Sequence, residues 1–289
     1  MDLSGETMGT TWSARALVPE GITKADLNDA ITGTHQAVID VFSTWDAGSF
    51  ISRFNAAPAG TCFTPDAAFK TVWTEAVRIA DLTHGAFNPA HGAETRARGF
   101  GPTGTSLTAF TARHSWTGDP ITRPDGQIRQ PGGLELDLSA IAKGYGVDEM
   151  ARALLALNVP SFLVEIGGEF YGHGIRADGQ PWWIDLQSPD LDRPAWRVAA
   201  CGIAIATSGN LYKSRQGRSH IIGAPTHDRI QTSISVFASS VMLADAWATA
   251  LYAAGDDALA LANAHDIAAL FQSASQPPQY SEALKAYFD

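Results

Sequence analysis

The sequence contains few cysteines and few basic residues, and each shortage bears on what the protein can be. Cys62 and Cys201 form no C-x-x-C pair and provide no disulfide framework, so we expect both to be core residues rather than ligands. Lys and Arg number 20 against 30 Asp and Glu, and the formal charge of −10 repels the phosphates of nucleic acid and of anionic membranes. A polyanionic partner is therefore not expected. One small anionic ligand can still be held by backbone N–H groups, a lysine or a bound cation.

No export signal and no membrane-spanning run are visible in the sequence. The first six residues lack the basic and apolar regions of a signal peptide, and no stretch approaches about eighteen uninterrupted apolar residues. We expect a cytoplasmic protein, or a periplasmic one if a leader has been removed.

The motifs of several common enzyme classes are also missing. No H-E-x-x-H, G-x-S-x-G or Walker lysine loop is present, so zinc protease, serine hydrolase and P-loop functions lack support. The stretch from Gly99 to Gly104 has the letters of G-x-G-x-x-G, but no apolar strand precedes it, Pro102 interrupts it and no helix follows it. We therefore do not interpret it as a dinucleotide-binding turn.

Hydrophobic periodicity predicts helices and short strands that do not alternate regularly. Helices are expected from about Lys24, from Thr64-Pro65 as cap and first residue, from about Ile141 to Leu157, and near residues 243–254 and 256–264. The predicted strands are Ser161–Ile166, Trp182–Leu186, Trp196–Ala200, Ile203–Ala206, Thr232–Ala238 and Ile267–Phe271. We predict an α+β fold with mixed or antiparallel sheets and flanking helices. A single domain over residues 1–289 is expected, which the segment 99–133, read as loops and a hairpin, could divide into lobes.

Three short segments have the residue types of an anion site. Lys143 lies in the first turn of the predicted third helix, where free N–H groups and the helix dipole favour phosphate, although an exposed lysine beside packing glycines would look the same. Gly167 and Gly168 follow an apolar strand and let a ligand approach the backbone, with Glu169 as an acceptor for a ribose or adenine group. A plain β-bulge with a solvated Glu is the alternative. The turn Thr207-Ser208-Gly209 can donate to phosphate oxygens, as can many ordinary loops.

A polar pair stands out on the predicted helix near residues 243–254. Asp245 and Thr249 are four residues apart, so they share one face of an otherwise almost wholly apolar helix. A buried carboxylate must be paired, capped or metal-bound, and a pair of hard oxygens suits Mg²⁺. The alternative is that Asp245 stabilises the helix N-terminus while the Thr249 hydroxyl bonds to the carbonyl four residues earlier.

One of the eight histidines is a candidate general base. His220 ends a polar run and opens a β-branched one, and its reference pKa of about 6.5 suits proton transfer near neutrality. A structural role for this histidine is the alternative.

Taken together and in this order, the segments resemble those of the FAD:protein FMN transferase (ApbE) family over nearly the whole chain. Those that carry the resemblance are Met8-Gly9-Thr10-Thr11-Trp12, Phe42-Ser43-Thr44-Trp45, Gly85-Ala86-Phe87-Asn88-Pro89, the stretch from Asp137 to Asp148, Ile166-Gly167-Gly168-Glu169, Ala206-Thr207-Ser208-Gly209, Ser219-His220-Ile221-Ile222 and Ala244-Asp245 with Ala248-Thr249.

The resemblance implies a compact, T-fold-like α+β protein in which FAD is the substrate and Mg²⁺ lies against its pyrophosphate. It implies metal ligation by the Asp245 and Thr249 side chains and by the backbone oxygen of Ala140. The residues that it implies for FAD are Met8 and Trp45 on the rings, Lys143 with Thr207, Ser208 and Gly209 on the phosphates, Glu169 with Gly167 and Gly168 on the adenosine, and Asp148 in the same set.

The implied reaction is attack of a Thr or Ser hydroxyl of a client flavoprotein on the FMN-side phosphorus, with release of AMP. His220 is the implied base. Hydrolysis of FAD to FMN and AMP, or flavin binding without catalysis, are the alternatives. The departures lie near the chemistry: Gly223-Ala224-Pro225-Thr226-His227 replaces the usual Asp-Pro-Arg-Thr-Gly, Asn88 and Asn210 stand where Asp is common, Glu169 replaces an Asp, and no lipobox cysteine is seen.

Overall fold

The protein was analysed as a computed structural model, which describes residues 1–102, 115–186, 188–190, 195–209, 214–215, 218–219, 221–222 and 232–287. Within them the strands are β1 Asp2–Thr7, β2 Thr10–Leu17, β3 Cys62–Phe63, β4 Ile128–Arg129, β5 Ser161–Ile166, β6 Glu169–His173, β7 Trp182–Asp185, β8 Arg197–Ala200, β9 Ile203–Gly209, β10 Ser214–Arg215, β11 Arg218–Ser219, β12 Thr232–Ala238, β13 Ala268–Ser273 and β14 Gln279–Tyr280. The helices are α1 Lys24–Phe42, α2 Phe50–Ala56, α3 Ala67–Leu82, α4 Gly92–Ala97, α5 Ser139–Ala156, α6 Val241–Ala254, α7 Ala258–Ala264 and α8 Glu282–Lys285, with a 3₁₀ turn at Gly255–Asp257.

Eight strands form one antiparallel sheet in the order β1-β2-β5-β6-β9-β12-β13-β14. The pairs β3–β4, β7–β8 and β10–β11 form three separate two-stranded ribbons. Helices packed on a mainly antiparallel sheet confirm the predicted α+β class.

The sheet has a helical layer on one face and a smaller cover on the other. Since side chains alternate along β9, Ala204 and Ala206 face the helical layer while Ile205 faces the opposite side. On the helical side α5 and α6 pack on the sheet and on each other, with α1 and α3 outside them. Apolar side chains of the β7–β8 ribbon and α8 cover the other face: Trp182, Ile184, Ala200 and Leu284.

Local sequence accounts for where several helices begin. The helix predicted from Lys24 is confirmed, and its first turn is closed by a capping box in which Thr23 and Asp26 bond to each other's backbone N–H. The predicted cap Thr64-Pro65 is wrong: α3 begins two residues later, because Asp66 accepts from the Phe69 N–H at 2.7 Å. The cap of α3 is therefore the carboxylate of Asp66 and not the hydroxyl of Thr64.

Other expectations are corrected as well. Cys62 and Cys201 are exposed rather than buried in the core. In the segment read as loops and a hairpin, Thr122 pairs with Ile128 across a short turn, while residues 103–114 lie outside the described part. Over the described residues, no helix has the length and apolar character needed to cross a membrane.

Candidate functional site

Strand register brings three of the sequence motifs to the same end of the sheet. The turn Met8-Gly9 joins β1 to β2, and β2 pairs with β5 through Trp12 and Ile166. Gly167-Gly168 turns the chain from β5 into β6, and β6 pairs with β9 through Phe170 and Ile205. Because β9 runs on past this pair, Thr207, Ser208 and Gly209 end beside the two turns.

Gly167 and Gly168 form a two-residue hairpin turn rather than a bulge. Their φ angles are +61° and +99°, the left-handed values that such a turn requires and that L side chains rarely adopt. A Cβ on Gly168 would meet nothing within 4 Å, so this turn presents bare backbone to open space. The Glu165 carboxylate fixes the turn by accepting from the Gly168 N–H at 2.7 Å. The turn therefore leaves room at Gly168 for the close approach of a ligand that the sequence predicts.

Met8 and Trp45 occupy different surroundings. Met8 has a φ of 48°, an uncommon value for a methionine, and packs against both apolar clusters on the helical side of the sheet. Trp45 follows α1, is 63% exposed, and stacks on no aromatic ring of the described residues. Ser43 holds the Trp45 loop by accepting from the N–H groups of Trp45 and Asp46. An exposed indole on a fixed loop is suited to cover a planar ligand.

Lys143, Glu169 and Asp245 form a buried charged triad between α5, β6 and α6. The Lys143 ammonium lies 2.6 Å from Glu169 Oε1 and 3.4 Å from Asp245 Oδ1. The side chains of Glu169 and Asp245 are 6% and 4% exposed, and that of Lys143 is 19% exposed. Burial alone would lower the pKa of Lys143, but the charges of Asp245 and Glu169 outweigh it and hold the pKa above its usual range. Lys143 is therefore charged and only partly exposed, unlike the exposed lysine of the alternative.

Asp245 is held by the backbone of the neighbouring helix. Its Oδ2 accepts from the Gly144 N–H at 3.0 Å. This contact requires a glycine, because a Cβ on Gly144 would lie 2.3 Å from the Val241 oxygen and 2.8 Å from Met242 Cα. In an α-helix the Gly144 N–H is the partner of the Ala140 carbonyl oxygen, so the carboxylate engages the same N–H group that faces that oxygen.

The N-terminus of α6 is capped without help from Asp245. Both oxygens of Asp148 accept from it, one from the Val241 N–H at 2.9 Å and the other from the Met242 N–H at 3.0 Å. Ser240 accepts from the third N–H, that of Leu243. The alternative in which Asp245 caps this helix is therefore wrong. Asp148, which the resemblance places in the flavin-binding set, positions α6 through these hydrogen bonds; burial raises the pKa of its carboxyl, although these N–H groups oppose that rise.

Two hydroxyls lie close to each other on the helical side of the sheet, and one of them shares a face of α6 with Asp245. Thr249 is one helical turn beyond Asp245, and its Oγ1 lies 3.3 Å from Ser208 Oγ on β9. Thr207, predicted to serve the same phosphate turn, points to the opposite face, where its hydroxyl lies 2.8 Å from Ser235 Oγ. Alternation along β9 separates the two side chains, so only the backbone of Thr207 can take part on the helical side.

The oxygen atoms available as ligands where α5 packs against α6, the helix crossing, fit a hard divalent cation. This donor set comprises the buried Asp245 carboxylate, the Thr249 hydroxyl on the same face of α6, and the carbonyl oxygen of Ala140, which the Gly144 N–H faces in α5. Mg²⁺ prefers oxygen ligands and commonly takes one or two carboxylates, leaving positions for water and substrate phosphates. Neither cysteine belongs to this donor set, and both are exposed.

Some features noted in the sequence are not part of this geometry. His220 lies outside the described residues, as do Asn210 and the loop 223–227. Asn88, by contrast, is described: its Oδ1 accepts from the Ala90 N–H at 2.9 Å, and its amide lies 2.9 Å from His91 Nε2.

The structure also gives specific roles to two residues that the sequence did not assign to the site. Gly144 sets the distance between α5 and α6, and Glu165 fixes the glycine turn with help from the Ser13 hydroxyl, which donates at 3.2 Å. The signal for Gly144 was present in the sequence as a glycine inside a predicted helix, a position that usually needs a packing reason.

Comparisons with known proteins cover both the sheet and this site. A family model described as the ApbE family matches residues 8–271. A FAD:protein FMN transferase of Vibrio cholerae is 36% identical over 287 residues, which cover 93% of this chain and 86% of the relative. The solved structure of flavin transferase ApbE from Vibrio cholerae has a TM-score of 0.86 at 30% identity and covers 99% of this chain and 98% of that one. For the apo flavinyl transferase ApbE of Pseudomonas stutzeri the TM-score is 0.83 at 26% identity, with 99% and 96% covered.

Proposed function

We propose, since this chain belongs to the ApbE family, that it moves FMN from FAD to a Thr or Ser hydroxyl of a client flavoprotein and releases AMP, with Mg²⁺ as the metal. The observation that carries the proposal is the buried Asp245 carboxylate, held at a helix crossing beside Lys143 and the Thr249 and Ser208 hydroxyls. The relatives from Vibrio cholerae and Haemophilus influenzae that carry the name FAD:protein FMN transferase support the same reaction.

In this proposal the helix crossing holds the metal and the diphosphate. Asp245, Thr249 and the Ala140 carbonyl oxygen bind Mg²⁺, which supplies positive charge to the diphosphate oxygens when it is bound. Lys143, Ser208 and the backbone of Thr207 and Gly209 donate to the phosphates. These donors are fixed before substrate arrives, so little reorganisation accompanies the development of charge.

The two glycine-containing turns border the rest of the flavin nucleotide. Gly167 and Gly168 let the adenosine part approach the backbone, and Glu169 accepts from it while it also pairs with Lys143. Met8 packs beneath the rings and Trp45 covers them, as planar stacking gives binding area and orientation.

The transfer requires a base. The oxygen of the acceptor hydroxyl forms a bond to the FMN-side phosphorus, the bond from that phosphorus to the bridging oxygen breaks, and AMP leaves with that oxygen. His220 takes the proton of the hydroxyl. Replacement of His220 by Asn should therefore lower turnover much more than FAD affinity; equal losses would make it a binding residue.

The test is incubation of the protein with FAD, Mg²⁺ and a candidate acceptor domain, followed by in-gel flavin fluorescence and assay of AMP. A fluorescent acceptor with AMP supports transfer. AMP with free FMN indicates hydrolysis, and bound FAD without either product would overturn the enzymatic proposal.

The variant Thr249→Ala supplies the site-specific control. It removes the hydroxyl that shares a face of α6 with Asp245, so we expect Mg²⁺-dependent turnover to be abolished while the fold remains. Thr71→Ala is a matched variant, since Thr71 is exposed on α3 and donates to the Ala67 carbonyl oxygen at 2.9 Å. Full activity of Thr249→Ala would remove Thr249 from the metal site.

A further inference from the structure

The positive charge of the Lys143 ammonium lies where it opposes the binding of a metal ion to Asp245. It lies 3.4 Å from Oδ1 of Asp245, the carboxylate proposed as a metal ligand, and the other oxygen of that carboxylate accepts from the Gly144 N–H. A divalent cation on Asp245 would therefore bind next to a fixed positive charge. Like charges at such separations repel, and partial burial strengthens the repulsion.

The same ammonium favours the binding of a diphosphate at this site. Asp245 and Glu169 carry two negative charges and Lys143 one positive charge, so the triad alone is net negative by one. With a divalent cation it becomes net positive by one, whereas without Lys143 it would only be neutral. The lysine thus supplies the excess positive charge that a diphosphate dianion meets after the metal has bound.

We propose that Lys143 acts in opposite directions on the two ligands: it weakens metal binding when no FAD is bound, and it strengthens FAD binding when the metal is bound. This inference rests on the proposed function and concerns the charge balance of its site. Glu169 takes part as the closer partner, 2.6 Å from the ammonium, and draws Lys143 away from Asp245.

The test uses Lys143→Met, which keeps an unbranched side chain of similar length and removes the charge. Mn²⁺ serves as the metal probe, because the free ion is measured directly by electron paramagnetic resonance. Without FAD, the variant should bind Mn²⁺ about tenfold or more tightly, since a neighbouring like charge is gone. At saturating Mn²⁺, its FAD affinity, measured by flavin fluorescence, should fall about tenfold because a charged partner of the phosphates is lost.

The predicted rise in Mn²⁺ affinity and fall in FAD affinity distinguish this role of Lys143 from a structural one. A lysine that only tied α5 to β6 would, when removed, weaken both ligands together. Lys70→Met, which removes an exposed charge on α3, should behave like the wild type in both assays. Weaker or unchanged Mn²⁺ binding by Lys143→Met would overturn the proposal.

A second variant covers the case in which Lys143→Met does not fold. Glu169→Gln leaves Lys143 with Asp245 as its charged partner, so Mn²⁺ binding without FAD should weaken; tighter binding would overturn the proposal. The metal measurements need no flavin. A wild type that binds Mn²⁺ but no FAD would therefore overturn the proposed function, while the Mn²⁺ affinities of the variants would still decide the role of Lys143.

Discussion

Substitution of Gly144 by alanine tests whether the distance between α5 and α6 builds the site. The added Cβ would lie 2.3 Å from the Val241 oxygen and 2.6 Å from its carbonyl carbon. Both are backbone atoms of the neighbouring chain segment and cannot rotate away. Because such atoms normally keep about 3.4 Å apart, the helices must separate by roughly 1 Å. The bond from the Gly144 N–H to Asp245, now 3.0 Å, would then stretch beyond hydrogen-bonding distance.

The magnitude follows from opposing contributions. Overpacking of a tight contact costs about 1–3 kcal/mol, and loss of a hydrogen bond to a buried charged group costs about 1.5–3 kcal/mol. The better helix propensity of alanine returns about 1 kcal/mol. We expect the free energy of unfolding to fall by about 1.5–5 kcal/mol, measured by urea denaturation, with a parallel loss of Mn²⁺ affinity.

Gly33→Ala is the matched control. Gly33 is also inside a helix, but it is exposed on α1 and a Cβ there would meet nothing within 4 Å. This substitution should stabilise the protein by about 0.5–1 kcal/mol and leave metal binding unchanged. If Gly144→Ala instead matched Gly33→Ala in both assays, the helix contact could not be what positions Asp245.

Two further predictions concern other buried groups. Asp148→Ala removes the acceptor for two N–H groups of α6, so the free energy of unfolding, measured by urea denaturation, should fall by about 2–3 kcal/mol. Asp148→Asn keeps one acceptor oxygen and should lose less stability. Equal losses for the two variants would contradict the role of Asp148 as the cap of α6. His35 is 4% exposed, and burial lowers its pKa from 6.5 to about 4. Unfolding lets it take up a proton, so stability should fall as the pH drops from about 6.5 to 4, by up to about 3 kcal/mol relative to His35→Phe; a difference that is constant with pH would refute it.

The elements best predicted from sequence are those with one strong local signal. Ser161–Ile166 and Thr232–Ala238 match the predicted strands because both are apolar runs bounded by turn residues. The first hairpin was missed for the opposite reason: β1 has only Leu3 and Thr7 buried, and Gly5 breaks its alternation. Its strand character comes from pairing with β2, which local sequence does not reveal.

The residue types of the candidate site could be predicted from the sequence, but the directions in which their side chains point could not always be. Asp245 and Thr249 could be paired from sequence because a helix places them on one face. Thr207 and Ser208 could not be separated in the same way, because their directions depend on which face of β9 the helices cover. Asp148 has the same side chain as Asp245, and only the position of the α6 N-terminus distinguishes a cap from a ligand.

These two aspartates explain why the crossing can keep an incompletely neutralised carboxylate buried. Asp148 satisfies the α6 N–H groups that would otherwise compete for Asp245, and Gly144 then brings a single N–H group to the Asp245 carboxylate. The remaining charge of Asp245 is balanced at 3.4 Å by an ammonium that Glu169 shares. A carboxylate satisfied by several close donors would bind a cation only after losing them. Among the described residues, Asp245 has one close donor, the Gly144 N–H, and one more distant donor, the Lys143 ammonium, so its carboxylate keeps oxygen lone pairs for a cation.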